Sequence, residues 1–189
     1  MSKLIVSEFV SLNGVMEAPG GEPTHPHTGW TFESIYGDDH YAYKQQEIEE
    51  AESLLLGRVT YEGFSAAWPE RDDPFADKIN TMPKYVVSST LTDPQWENTT
   101  VLSGDPIESV GKLKEGDGGP ILVNGSAQLV HALTEAGLVD EFRAMIHPVL
   151  IGDGLRMFPD PGELQKLRLA ESIGYDSGVA LLIYRKREE

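Results

Sequence analysis

Three short apolar runs in this chain stop on glycine or hydroxyl residues and lead into a helical pattern or a turn. They are Leu54-Leu55-Leu56 running into Gly57-Arg58-Val59-Thr60, Tyr85-Val86-Val87 into Ser88-Ser89-Thr90, and Ile121-Leu122-Val123 into Asn124-Gly125-Ser126-Ala127. Short apolar runs bounded in this way read as strands buried on both faces. Strands that alternate with helices imply a largely parallel sheet with helices on both sides. In such a sheet, ligands sit beyond the carboxyl ends of the strands. A helix N-terminus there presents unpaired N–H groups and partial positive charge, which suits phosphate. Glycine allows close backbone approach. The same residue types also serve as ordinary helix caps and turns, so the spacing alone does not name a ligand.

The rest of the pattern extends this frame. A β-rich run over 4–12 ends in the turn dipeptide Asn13-Gly14. Residues 15–37 carry Pro19, Gly20, Gly21, Pro23, Pro26 and Gly29, a long loop of the kind usually kept for function. Helices are expected over 38–53 (with an acidic, solvated side), 58–68, 75–81, 106–115 and from 126, where Leu129, Val130, Leu133 and Ala136 recur at helical spacing. Gly137 fits a helix C-cap. Strands are expected over 84–89, 99–102, 141–150, 167–173 and 179–185. The closing strands have no helices between them, which predicts an antiparallel addition at one edge. No linker divides the chain, so one domain over 1–189 is expected.

Acidic residues outnumber basic ones 31 to 15. A net charge of −16 disfavours nucleic acid and anionic membrane as partners. It also requires that any phosphate be held by local cations and dipoles, for which Arg58 is the candidate. There is no cysteine, which removes disulfides, thiol nucleophiles and Cys-ligated zinc. Glu8 interrupts the first apolar run, so neither a signal peptide nor a membrane span is expected.

Other constellations fail on inspection. Gly152-Asp153-Gly154 is followed by Met157 where a dinucleotide fingerprint needs glycine. Gly63-Phe64-Ser65-Ala66-Ala67 lacks the last glycine of a nucleophile elbow. His25 and His27 have no third ligand nearby, so no metal is expected. His40, His131 and His147 read as structural. Trp30, inside the long loop, is a candidate to line a pocket.

The motifs, taken in order, resemble those of a known family. Leu56-Gly57-Arg58-Val59-Thr60-Tyr61-Glu62 resembles the Gly-Arg-x-Thr-aromatic-Glu motif of dihydrofolate reductases. Lys84 to Ser89 resembles the strand that follows in that superfamily, and Ile121 to Leu133 its later strand–glycine–helix unit. Ser11-Leu12-Asn13-Gly14 is similar to the Ser-Leu-Asp-Gly start of the riboflavin-biosynthesis reductase domain. So are Leu138-Val139-Asp140-Glu141, Pro148-Val149-Leu150-Ile151-Gly152-Asp153-Gly154 and Phe158.

The resemblance covers nearly the whole chain. It implies a three-layer α/β/α dihydrofolate-reductase-like fold, NADPH as cofactor, and a cytoplasmic homodimer. It places Gly57, Arg58 and Thr60 along the cofactor's phosphates, and Ser88 and Ser89 near the adenosine ribose phosphate. Asn124, Gly125, Ser126 and Ala127 would support the pyrophosphate. Asn13, Gly14 and Met16 belong to the loop over nicotinamide and substrate. The expected reaction is hydride transfer to a small heterocyclic, carbonyl or imine substrate. True folate reduction and a non-catalytic dinucleotide-binding module are the alternatives. Two departures bear on these. Asn124-Gly125 stands where dihydrofolate reductases have Gly-Gly. Ile35 stands five residues after Trp30, where they carry a carboxylate, which leaves Glu33 and Asp38 as candidates to orient water or substrate. Without cysteines the chain is not expected to hold the deaminase of the bifunctional riboflavin enzyme.

Overall fold

The computed structural model describes residues 1–33, 37–158 and 163–187. Eight strands form one sheet: β1 (Leu4–Ser11), β2 (Ser53–Gly57), β3 (Lys84–Val87), β4 (Thr99–Leu102), β5 (Ile121–Val123), β6 (Glu141–His147), β7 (Leu167–Gly174) and β8 (Ala180–Lys186). Their order across the sheet is β4-β3-β2-β5-β1-β6-β8-β7. Neighbours from β4 to β6 pair in parallel. β8 runs antiparallel to both β6 and β7, the edge addition expected from the helix-free C-terminal third.

Alternation along the strands divides the core. Leu4, Val6, Leu55 and Val123 face one layer with Val110 of α4 (Pro106–Lys114) and Leu129, Val130 and Leu133 of α5 (Ala127–Glu135). Ile5, Leu54, Leu56 and Leu122 face the other, with Ile48 of α1 (Tyr41–Glu50), Tyr61 of α2 (Arg58–Ala67) and Ile79 of α3 (Pro74–Thr81). The chain therefore has three layers, helices on both faces of one mixed sheet, as the resemblance implies. Leu54, Leu55 and Leu56 are fully buried, and each contributes roughly 1.5–3 kcal/mol. β2 can carry three consecutive leucines because helices cover both its faces.

Several elements differ from the sequence reading. α1 is shorter than 38–53, and its acidic side is not wholly solvated. Glu47 is buried, where it accepts from Lys44 Nζ at 2.6 Å, Ser7 Oγ at 2.8 Å and Arg143 Nη1 at 3.1 Å. β3 ends at Val87 because the Ser88 hydroxyl accepts from the amides of Thr90 and Leu91, which turns the backbone. β6 stops at His147, just before Pro148. Gly137 takes the left-handed φ of +65° expected of a helix C-cap, and Leu138 N donates back to Leu133 O. The long first loop folds on itself. Trp30 Nε1 donates to Glu17 O at 2.8 Å and Thr31 Oγ1 to Pro19 O at 2.7 Å.

Candidate active site

α2 follows β2, and α5 follows β5, its neighbour in the sheet. Their N-termini therefore lie together at the carboxyl ends of the strands. The contact between them is close. A Cβ on Gly57 would meet Ser126 Oγ at 2.4 Å, and one on Gly125 would meet Thr60 Oγ1 at 2.9 Å. Gly125 also has φ +76°, which a side chain rarely adopts, and the Gly125–Ser126 peptide is cis. Gly57 N donates to Gly125 O at 3.1 Å.

The two helix starts share a second property. Gly57 caps α2 and Ser126 caps α5, neither with a side-chain hydrogen bond, and neither helix has an acid in its first turn. α3 and α4 are built the opposite way. Asp73 accepts from Ala76 N, Asp105 accepts from Glu108 N, and the first turns carry Asp77 and Glu108. Carboxylates thus satisfy the positive poles of α3 and α4, while those of α2 and α5 stay available to an anion; α1 is likewise uncapped but does not follow a strand. Arg58 is exposed beside them, held by Glu62 at 2.7 Å in an exposed pair worth little.

Glu8 of β1 lies beneath this junction. It follows Leu4 and Val6 in the alternation that faces α5, and its Oε1 accepts from Gly125 N at 2.6 Å. Burial pushes its carboxyl up to about 8, against lowering by the Gly125 amide and Lys44. The turn after β1 meets the segment that follows β6. Asn13 accepts from Ile151 N and donates to Ile151 O, and Arg156 Nη1 donates to Asn13 O. Gly14, at φ +91°, accepts from Met157 N. Met16 is buried in the same apolar layer as Ala127 and Leu129.

The structure therefore brings together Gly57, Arg58, Thr60, Asn124, Gly125, Ser126 and Ala127, with Met16 in the apolar layer beneath Ala127, while Asn13 and Gly14 bond to Ile151, Arg156 and Met157. Ser88 is occupied in its turn, and Ser89 lies exposed one residue beyond it. Trp30 packs against Val15 and Ile151 in a core cluster rather than facing a cavity. Asp38 is exposed, and its backbone carbonyl accepts from Tyr41 N at the start of α1. Its neighbour Asp39 is the carboxylate that binds, to the amides of Asp176 and Ser177. The side chain of Glu33 lies outside the described residues. The sequence reading missed Glu8 as a site residue. Its signal was present, as an acid at a core-facing step of an otherwise apolar strand face. No three His, Asp or Glu side chains among the described residues are grouped to hold a metal ion, and no described helix is long and apolar enough to cross a membrane.

Comparison with known proteins gives this geometry a setting. A family model described as the RibD C-terminal domain matches residues 2–181. The uncharacterized protein YyaP of Bacillus subtilis (strain 168) is 29% identical over 192 residues, covering 96% of this chain and 94% of YyaP. A protein from Shewanella sp. PV-4 named for riboflavin biosynthesis superposes with a TM-score of 0.74 at 19% identity, covering 98% of this chain and 99% of that one. Dihydrofolate reductase from Enterococcus faecalis, complexed with NADP(H), superposes with a TM-score of 0.63 at 17% identity, covering 98% and 97%. These two similarities are of fold.

Proposed function

The chain belongs to the RibD C-terminal domain family, and from that premise we propose that it is an NADPH-dependent reductase of a small heterocyclic, carbonyl or imine compound. The observation that carries the reading is the pair of helix N-termini without side-chain caps or first-turn acids at the β2 and β5 strand ends, with Arg58 beside them. Gly57, Arg58, Thr60, Asn124, Gly125, Ser126 and Ala127 would hold the diphosphate there, largely through backbone dipoles. That solves the problem of binding a polyanion to a chain of net charge −16. Ser88 and Ser89, at the end of β3, would lie toward the adenosine ribose. The bound cofactor supplies a hydride, and the chain aligns donor with acceptor and excludes water. The acceptor also needs a proton, from a side chain or water. The same family resemblance supports reading it as a cytoplasmic homodimer. The apolar groove of about 320 Å³ on the β6–β8–β7 face, lined by Phe142, Phe158, Leu167 and Tyr184 among others, is surface such an assembly would cover.

NADPH and NADH titrations followed by tryptophan fluorescence and Tm test the reading. Saturable stabilisation by NADPH is expected. The Arg58→Ala variant should weaken binding about tenfold without lowering the Tm of the free protein, because its ion pair with Glu62 is exposed. No response to either nucleotide at millimolar concentration would overturn it. NADPH consumption with pyrimidines, pteridines and dihydrofolate then sorts substrates.

A further inference from the structure

Three glutamates are buried in the described core, and they are treated differently. Glu47 is held by Lys44 and Arg143, and Glu141 by Arg143 and Arg185, each at 2.6–3.1 Å. Glu8 has no cation within ion-pair distance among the described residues. Lys44 donates to Ser7 Oγ at 2.7 Å and Glu47 at 2.6 Å, so it acts on Glu8 only from beyond contact. The partner given to Glu8 is the amide of Gly125, the residue whose backbone opens the turn into α5. The rest of its face is apolar, with Val6, Val10, Met16, Val123 and Ala127 in the same layer.

An ionised carboxylate in this position would oppose any phosphate seated on the two helix starts above it. A neutral carboxyl would not, and it can still accept from Gly125 N. We propose that Glu8 is a positioning residue of the cofactor cleft: as a neutral acid it holds the Gly125 amide and the first turn of α5 in place, so that the cleft takes a phosphate-bearing ligand with Glu8 protonated. The inference rests on the cofactor reading of the cleft. The charged groups that act on Glu8 are Lys44 and Glu47 of α1. On β6, Ala144 stands directly across from it, while Arg143 is bonded to Glu47 and Glu141. His131, the titratable group of α5 nearest in sequence, is bonded to Arg156 O. Burial puts the carboxyl near 8, so the free protein loses this proton within a readily measured range.

The test is the dissociation constant for NADPH between pH 7 and 9.5 at fixed ionic strength, in the wild type, Glu8→Gln and Glu8→Leu, with the Tm of each. This range lies above the second ionisation of a phosphate monoester, about pH 6, so the ligand's own charge is constant. Wild-type affinity should be level up to about pH 8 and then fall by about tenfold per pH unit. Glu8→Gln keeps an acceptor for Gly125 N, so it should bind as the wild type does at pH 7 and show no such fall. Glu8→Leu removes the acceptor and should bind more weakly at every pH. Lys84 also titrates near pH 8 but caps the C-terminus of α3, so any slope it causes would survive in Glu8→Gln.

A wild-type affinity that is constant to pH 9.5, or a Glu8→Gln slope equal to the wild type's, would overturn the role of Glu8 and leave the cofactor reading standing. Absence of NADPH binding at every pH would overturn both. Should neither variant fold, calorimetry of the wild type in two buffers of different ionisation enthalpy decides. Uptake of most of a proton on NADPH binding at pH 8.5 supports the assignment, and no uptake overturns it.

Discussion

His40 and His147 occupy a closed aromatic cluster with Phe9, Trp30 and Tyr41, their ring centroids 5.2 Å apart and edge to face. Both are essentially inaccessible, and the Nε2 of each has no hydrogen-bond partner among the described residues. Burial, reinforced by His40, holds the His147 imidazole down at about 4. The unfolded chain would take up that proton near pH 6.5, so it binds more protons than the native state between 6.5 and 4. The stability contributed by a neutral His147 is therefore fully present above about pH 6.5 and is lost as pH falls to 4, by up to about 3 kcal/mol. Urea unfolding at pH 7, 5.5 and 4.5 should show this loss in the wild type and a much shallower one in His147→Phe. An equally steep loss in the variant would place the acid sensitivity elsewhere. Glu8 has the opposite sign. The contribution of its neutral form is full below about pH 4.5 and is lost as pH rises through 8.

The pairing of α2 with α5 is decided by what Gly57 lacks. Its φ of −75° is ordinary, so any residue fits the backbone there and the constraint is purely steric. Gly57→Ala forces the new methyl against Ser126 Oγ and should cost about 1–3 kcal/mol. It should also abolish NADPH-induced stabilisation by driving the helix starts apart. Adding Ser126→Gly removes the atom in the way. The double variant should recover most of the lost stability, an interaction visible in a double-mutant cycle by urea unfolding. Simple additivity of the two costs would refute the contact. α1 is docked by other means. It buries one large aliphatic side chain, Ile48, and is held to β1 and β6 by the Lys44–Glu47–Arg143 network. Such a buried network gives geometry more than net stability, because its charges were desolvated to form it.

Across the whole molecule the charge of −16 sets a field that repels the ligand proposed for the cleft. The attraction of two helix poles and Arg58 acts within a few ångströms, whereas the repulsion reaches out to about a Debye length, ~30 Å at 0.01 M salt and ~8 Å at 0.15 M. Raising NaCl from about 10 to 150 mM should therefore speed NADPH association, read by stopped-flow fluorescence. Basic nucleotide-binding surfaces behave the other way. A rate that falls with salt would mean that local cations dominate the encounter and that the acidic excess lies away from the cleft.

The fold was legible in the chain because its signals are local. Apolar runs of three to five residues, helical spacing at Leu129, Val130 and Leu133, and the glycine cap at Gly137 each depend on nearby residues alone. The residues at the ends of β2 and β5 were legible for the same reason, since a glycine or hydroxyl after a buried strand marks a sheet end wherever it occurs. What only the tertiary structure decided depends on distant partners. Gly57 and Ser126 are far apart in sequence, so nothing local shows that they touch, or that α2 and α5 lack the carboxylate caps of α3 and α4 in just the place an anion would use. Glu47 reads as one more solvated helix acid until Arg143 of β6 is brought against it. Glu8 reads as an interruption of an apolar run. Its burial, its want of a cation and its hold on the Gly125 amide follow from β1 lying between β5 and β6, an order set by the packing of the whole sheet.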